Sequence, residues 1–272
     1  MGESVKRVLF VNSEIFPYLP ETTISSIGRY LPQGIQEKKK EIRSFMPRFG
    51  CINERKNQLH EVIRLSGMNI IISDVDRPLI IKVASISSAR IQVYFIDNED
   101  YFKRKQTFFD EDGRFFEDNG ERAVFFARGV LETVKKLRWA PDVIHCQGWI
   151  SQVLPLYLKK AYKDDPIFSN SKVVLSLYND TPDTLLGENF QKTVLFGGVT
   201  AEDVPFLEHP DGINLAKTAA QYSDGIILGS PDVDENIVSW CKELGLPVLP
   251  YSEEALKTGK YIEEYDSFYD QL

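Results

Sequence analysis

The chain has 272 residues, 43% hydrophobic and 26% charged, a balance that supplies apolar surface for one large soluble domain or two modest ones. A net charge of −8 and a sequence pI of about 5.1 argue against a broad nucleic-acid surface. Three cysteines (Cys51, Cys146, Cys241) and three histidines (His60, His145, His209) are too irregularly spaced for a disulfide framework or a metal centre, no apolar run is long enough for a membrane span or a signal peptide, and the cytoplasm is the expected location.

In chain order, Val8-Leu9-Phe10-Val11 reads as a buried parallel strand. Residues 22–40 follow as a helix, with Ile24, Ile27, Leu31 and Ile35 at helical spacing and a kink or break expected at Pro32. The run Lys38-Lys39-Lys40 reads as the solvated C-terminus of that helix, favoured by its dipole. A strand over residues 42–47 comes next. Residues 57–97 are β-rich, with turn punctuation that predicts short strands and at least one hairpin. An amphipathic helix is predicted over 120–138, a parallel strand over 143–145, a helix over 149–162 with Pro155 inside it, and a strand over 172–177. Residues 181–210 read as loop-rich. Helices over 214–222 and 232–244 alternate with strands over 225–228 and 247–250. The acidic, tyrosine-rich stretch from Ser252 onward reads as a terminal helix that docks elsewhere, or as a partner segment. The alternation gives an α/β fold: one Rossmann-like, doubly wound, mostly parallel sheet with an added β-hairpin region, in a single domain over 1–272.

The candidate ligand site is the crevice at the carboxyl ends of the strands. Glu14 follows the first strand and is placed either to accept a ligand hydroxyl or to pair with a lysine. His145 ends a strand and is either a satisfied structural residue or part of the crevice, and Trp149 either packs a helix onto the sheet or borders a sugar. Asn179 caps a strand end. Cys146 has no sequence-local partner that would make it a nucleophile and reads as a small buried residue. Thr22-Thr23-Ile24-Ser25-Ser26 is a good helix N-cap region.

Several stretches, in order, resemble the catalytic domain of bacterial glycogen and starch synthases (glycosyltransferase family 5, GT-B fold). They are Val11-Asn-Ser-Glu14-Ile-Phe-Pro17, Met46-Pro-Arg-Phe-Gly50, Tyr94-Phe-Ile-Asp97, Asp112-Gly, Asp118-Asn119, Arg122, Phe125-Phe126, Trp139-Ala-Pro-Asp-Val-Ile-His145, Trp149, Leu154-Pro155 and Tyr178-Asn179. The match is strongest over residues 6–180. The resemblance implies two Rossmann-like domains facing a cleft, α-1,4-glucan made from ADP-glucose, and correspondence of this sequence to the first of those domains.

At three places the sequence departs from the pattern. Where the family has a Lys-Thr-Gly-Gly-Leu phosphate loop, Pro20 stands for the lysine, Thr22 and Thr23 for the glycines, and Ser26 for a following aspartate, with Glu21 adding negative charge. A cation is lost, and close backbone approach to phosphate becomes harder. The family's His-Ala-His-Asp-Trp-His reads His145-Cys146-Gln147-Gly148-Trp149-Ile150, so Gly148 replaces the aspartate near the reacting sugar. Tyr178 replaces the histidine of a later His-Asn pair, and a tyrosine does not take up a proton near neutral pH as imidazole does.

The functional expectation is a glycogen/starch synthase-like domain with a glucan-, sugar- or partner-binding role, a pseudoenzyme when alone. The alternative is the acceptor-side half of an ADP-glucose-dependent α-1,4-glucan synthase completed by a separate synthase subunit. A third reading is an unrelated small molecule in the same crevice. The candidate sugar-binding residues are Glu14, His145, Trp149, Tyr178 and Asn179. No metal, no cofactor, no nucleic acid and no membrane is expected; the ligands to consider are a glucan and ADP-glucose.

Overall fold

A computed structural model describes residues 6–272. Ten strands form one sheet: β1 (Arg7–Asn12), β2 (Glu41–Pro47), β3 (His60–Glu61), β4 (Met68–Ile72), β5 (Val75–Ile86), β6 (Ile91–Asp97), β7 (Val143–Gln147), β8 (Lys172–Leu177), β9 (Gly225–Leu228) and β10 (Val248–Leu249). The spatial order is β10-β9-β8-β7-β1-β2-β6-β5-β3, with β4 paired to β5. Pairing is parallel from β10 through β6, while β5 runs antiparallel to β6, and β3 and β4 run antiparallel to β5. The predicted hairpin is β4–β5, whose two-residue turn Ser73-Asp74 takes left-handed φ at both positions, as a twisted hairpin requires.

The nine helices among the described residues are α1 (Thr23–Glu37), α2 (Glu99–Phe102), α3 (Asn119–Leu137), α4 (Leu154–Lys159), α5 (Phe190–Thr193), α6 (Gly212–Gln221), α7 (Glu235–Glu243), α8 (Glu253–Thr258) and α9 (Tyr261–Tyr269). None is long and apolar enough to cross a membrane.

Alternation along the buried strands sends side chains to two cores. From β1, Leu9 and Val11 enter the larger core, which takes α3, α4, α6 and α7. Val8 and Phe10 enter the smaller one, which takes α1 and α9. The tail therefore covers the sheet. Tyr265, Phe268 and Tyr269 of α9 are buried against Val8, Phe10, Val143 and Val174.

Three sequence expectations are corrected. Pro32 does not break α1, which runs to Glu37, because Ile24, Ile27, Leu31 and Ile35 all bury on the sheet on both sides of it. The segment from Trp149 is not one helix. A 3₁₀ turn spans Trp149–Ser151, and α4 begins only at Leu154, with Pro155 in its first turn, where a missing N–H costs nothing. The lysine run is not merely solvated: the Lys40 ammonium lies 2.6 Å from Asp266 and 3.0 Å from Asp270 of the tail, and Lys38 lies 3.7 Å from Glu263.

Candidate functional site

The strand order reverses between β1 and β7. The first crossover leads from β1 to β2 on one side, and the chain later returns to β7 on the other. Such a reversal opens a crevice at the carboxyl ends of the strands. The segments after β1, β7 and β8 meet there.

Ser13 is held at the end of β1 by its N–H, which donates to the Gln147 carbonyl at 2.9 Å. Glu14 projects next to it. Its carboxylate accepts from the Thr22 hydroxyl at 3.1 Å and, among the described residues, from no lysine. Burial raises its pKa, the Thr22 bond offsets part of that rise, and the Asp180 charge adds to it.

Thr22 is fully engaged as the N-cap of α1. Its hydroxyl accepts from the Ser25 N–H at 3.0 Å, and its own N–H donates to the Ser25 hydroxyl at 2.8 Å, a reciprocal capping box. The Ser25 hydroxyl in turn donates to the Pro20 carbonyl at 2.9 Å, and the Ser26 hydroxyl reaches Glu21 at 3.4 Å. Thr23 lines the crevice and is exposed. The loop at the position of the family's phosphate cradle is thus closed on itself by side-chain hydrogen bonds.

After β7, Gly148 has φ +83° and ψ 151°. A Cβ there would lie 2.0 Å from the Ser13 hydroxyl oxygen and 3.3 Å from a carboxylate oxygen of Asp180. Asp180, three residues past the end of β8, accepts the Trp149 N–H at 2.7 Å through Oδ2. Its Oδ1 is shielded from solvent and, among the described residues, has no hydrogen-bond partner of ordinary geometry. Burial pushes the carboxyl pKa up to about 6, and the backbone N–H groups of Trp149 and of Asp180 itself pull the other way.

Two adjoining cavities share Asn179 and Asp180. One, of about 600 Å³, is lined by Ser13, Glu14, Asp180 and an aromatic wall of Phe108, Phe109, Phe115 and Trp149. In that wall the Trp149 ring is 4.9 Å from Phe108 and 5.6 Å from Phe115. The buried Arg122 guanidinium sits 5.9 Å from the Phe108 ring and donates to the Thr107 carbonyl at 2.7 Å, fixing the loop that carries the wall. The other cavity, of about 300 Å³, lies between Thr22, Thr23, Tyr178, Gly229 and Tyr251. Among the described residues no lysine or arginine lines either cavity.

The structure brings together Glu14, Trp149, Asn179 and, at the rim of the smaller cavity, Tyr178. Trp149 stands on a 3₁₀ turn, buried in the larger core, and also borders the cavity. Tyr178 is buried against Gly229, and its hydroxyl donates to Gln147 Oε1 at 3.1 Å, while Gln147 Nε2 donates to Asn12 at 2.9 Å. Two of the positions where the family pattern carries histidines, 147 and 178, are therefore bonded to each other. Burial holds the Tyr178 hydroxyl well above its ordinary pKa.

His145 is the exception: of its two readings, the structure takes the satisfied structural residue. It lies inside the smaller core, completely buried, with Nδ1 2.7 Å from the Tyr269 hydroxyl and Nε2 2.6 Å from the Ser176 hydroxyl. Strand alternation points it at α9 and away from the crevice, and burial pushes its pKa down to about 3. Sequence reasoning missed Asp180 and the wall of Phe108, Phe109 and Phe115. The signal for Asp180 was its place immediately after Tyr178-Asn179 at a strand's carboxyl end; the wall comes from a distant loop and leaves no local signal. Among the described residues no cluster suited to a metal ion is present.

The chain matches the family model of the starch synthase catalytic domain over residues 7–246. It is 36% identical over 221 residues to the glycogen synthase of Chlorobium limicola, covering 80% of this chain and 44% of that protein. With the glycogen synthase of Chlorobium luteolum it shares 39% identity over 174 residues, covering 64% of this chain and 36% of that one. The chain thus spans about half the length, or less, of these relatives. Among solved structures, the catalytic domain of Starch Synthase IV from Arabidopsis thaliana, bound to ADP and acarbose, superimposes with a TM-score of 0.72 at 15% identity, covering 91% of this chain and 51% of that one. With its sheet order, its crevice and a family match running through nearly all of the described residues, the chain belongs to the starch synthase catalytic domain family.

Proposed function

We propose that this domain uses its crevice to hold an α-glucan or related neutral sugar and does not by itself transfer glucose from ADP-glucose. The observation that carries this reading is the lining of the two cavities, where carboxylates and aromatic faces stand and, among the described residues, no lysine or arginine does. Carboxylates accept hydrogen bonds from sugar hydroxyls, and aromatic rings cover apolar sugar faces. A diphosphate needs cations or free backbone N–H groups, and each uncompensated like-charge pair near 4 Å costs about 1–4 kcal/mol at effective dielectrics of 80 to 20. The capping box at Thr22 and the bond between Tyr178 and Gln147 support the same reading, since neither leaves a group free to bind phosphate or to shuttle a proton near neutral pH.

The coverage of about half of each relative favours one second reading: the crevice is the acceptor-side wall of an ADP-glucose-dependent α-1,4-glucan synthase whose donor side comes from further polypeptide, including a separate subunit. Transfer of labelled glucose from ADP-glucose to glycogen separates the two, run beside a full-length synthase. The purified chain is expected to show no incorporation above the buffer blank while binding maltotetraose in calorimetry. Protein-dependent incorporation by the chain alone overturns the proposal.

A further inference from the structure

We propose that the groove between the start of α1 and the tail is a second saccharide subsite, continuous with the crevice, in which Tyr30, Tyr251 and Tyr261 take the part of an α-glucan chain that extends beyond the crevice. The inference rests on the sugar-binding reading above and extends it onto the tail.

The groove has a volume of about 560 Å³ and is lined by Thr22, Thr23, Ser26 and Tyr30 on one side and by the segment from Tyr251 to Tyr261 on the other. It shares Thr22, Thr23, Tyr251 and Leu256 with the smaller cavity of the crevice. That cavity in turn shares Asn179 and Asp180 with the one bounded by the aromatic wall. A polymer seated on the wall therefore has a continuous path past Asn179, over the start of α1 and onto the tail. The family match ends at residue 246, so the tail side of the groove lies outside it, while the opposite side begins with the rewritten loop.

Tyr261 points to a ligand. It is only 7% exposed, and its ring is held edge-on against Tyr265 with centroids 5.7 Å apart. Its hydroxyl has no hydrogen-bond partner among the described residues, yet, unlike the hydroxyls of Tyr18 and Tyr157, it is open to solvent. Burial pushes its pKa up to about 12, and Tyr30 of the same groove adds to the rise, so the phenol stays a neutral donor. A tyrosine held this deeply usually finds a partner for its hydroxyl within the protein. Here the partner must come from the groove. Tyr30, 44% exposed, offers its ring to the same space.

The charges in the groove are already engaged. The Lys257 ammonium lies 2.6 Å from Glu253, and Glu21 accepts the Ser26 hydroxyl at 3.4 Å. Among the described residues lining the groove, no cation is left unpaired for a phosphate. Aromatic rings, hydroxyls and compensated charge suit an uncharged chain with hydroxyl edges and apolar ring faces. The tail side is fixed by the ion pairs of Lys38 and Lys40 with α9 and by Ile262, which packs directly on Gly34 of α1.

The test is calorimetric titration of the wild-type chain, Tyr30→Ala and Tyr261→Phe with maltotetraose and with maltoheptaose at pH 7.5. The wild type is expected to bind maltoheptaose about tenfold more tightly than maltotetraose. Tyr261→Phe keeps the ring and removes only the unpartnered hydroxyl. It is expected to weaken maltoheptaose binding about fivefold, the worth of one hydrogen bond, with an unchanged thermal midpoint in the absence of sugar. Tyr30→Ala removes an exposed ring and is expected to weaken maltoheptaose binding about tenfold. Neither variant is expected to change maltotetraose binding by more than about twofold, since the crevice is intact in both. A tyrosine with a purely structural role at 261 would give the reverse result, a lower midpoint with unchanged affinity.

Maltotetraose binding by the wild type with no gain for maltoheptaose overturns the groove and leaves the sugar-binding reading in place. Variants that bind both sugars as the wild type does have the same meaning. Equal weakening of both sugars would show the tetrasaccharide in the groove itself and overturn its role as an extension of the crevice. ADP binding that the same variants weaken, with maltoheptaose binding untouched, makes the groove a nucleotide site and overturns the saccharide. No binding of either oligosaccharide by the wild type overturns the sugar-binding reading and the groove with it.

Discussion

At Gly148 the backbone takes φ +83° and ψ 151°, a region open essentially to glycine alone, and the Ser13 hydroxyl sits where a Cβ would go. Reverting this position to the family's aspartate therefore does not restore a family site. Gly148→Asp is expected to cost about 3 kcal/mol, combining backbone strain with the displacement of Ser13, measured as a shift in urea midpoint at constant slope. A neutral effect would show that the turn after β7 has a second conformation. The substitution of glycine for the family's aspartate was legible in the sequence, and so was the loss of histidines at 147 and 178. What replaced them was not. Gln147 and Tyr178 are 31 residues apart and meet only because β7 and β8 are parallel neighbours, and Asp180 reaches the space beside Gly148 for the same reason.

Strand β7 shows how an element decides the role of a residue. Ile144 and Cys146 face the larger core, so His145 must face the smaller one, against Tyr265 and Tyr269 of α9. The period of two was visible in the sequence, but which face meets the crevice was not, because both faces of this parallel sheet are buried. Burial pushes the His145 imidazole from its ordinary 6.5 down to about 3. Between those values the unfolded chain binds more protons than the folded one, so stability rises with pH across the window. The contribution is fully present above pH 6.5 and is lost as pH falls below it, at up to ~1.4 kcal/mol per pH unit. His145→Asn removes this titration. The difference in urea midpoint between pH 4.5 and pH 7.5 is expected to shrink in the variant, and an identical difference would mean that other groups set the acid limit.

Over the whole molecule, the tail and the first crossover are tied together across 226 residues by Lys40 and Asp266, 2.6 Å apart with side chains only 9% and 15% exposed. This pair is more shielded than an ordinary surface ion pair, so its coupling should exceed the usual few tenths of a kcal/mol. A double-mutant cycle with Lys40→Met and Asp266→Asn is expected to give about 1–2 kcal/mol, read by chemical denaturation. Additive single effects would show that α9 is held by its aromatic residues alone. Those residues, Tyr265, Phe268 and Tyr269, complete the smaller core that α1 covers only in part.

The sequence by itself determined the alternation of strands and helices, the hairpin, the family and the rewriting of the phosphate loop. Each of these depends on residues close together in the chain: apolar periodicity, turn residues, and motifs in a fixed order. The tertiary structure decided which of the candidate residues share the crevice. It removed His145 to the opposite face, placed Trp149 in an aromatic wall with Phe108 and Phe115, and brought Asp180 beside Gly148. These outcomes turn on strand order and on which face of a two-sided sheet each side chain enters, and neither is encoded in any short stretch of the chain.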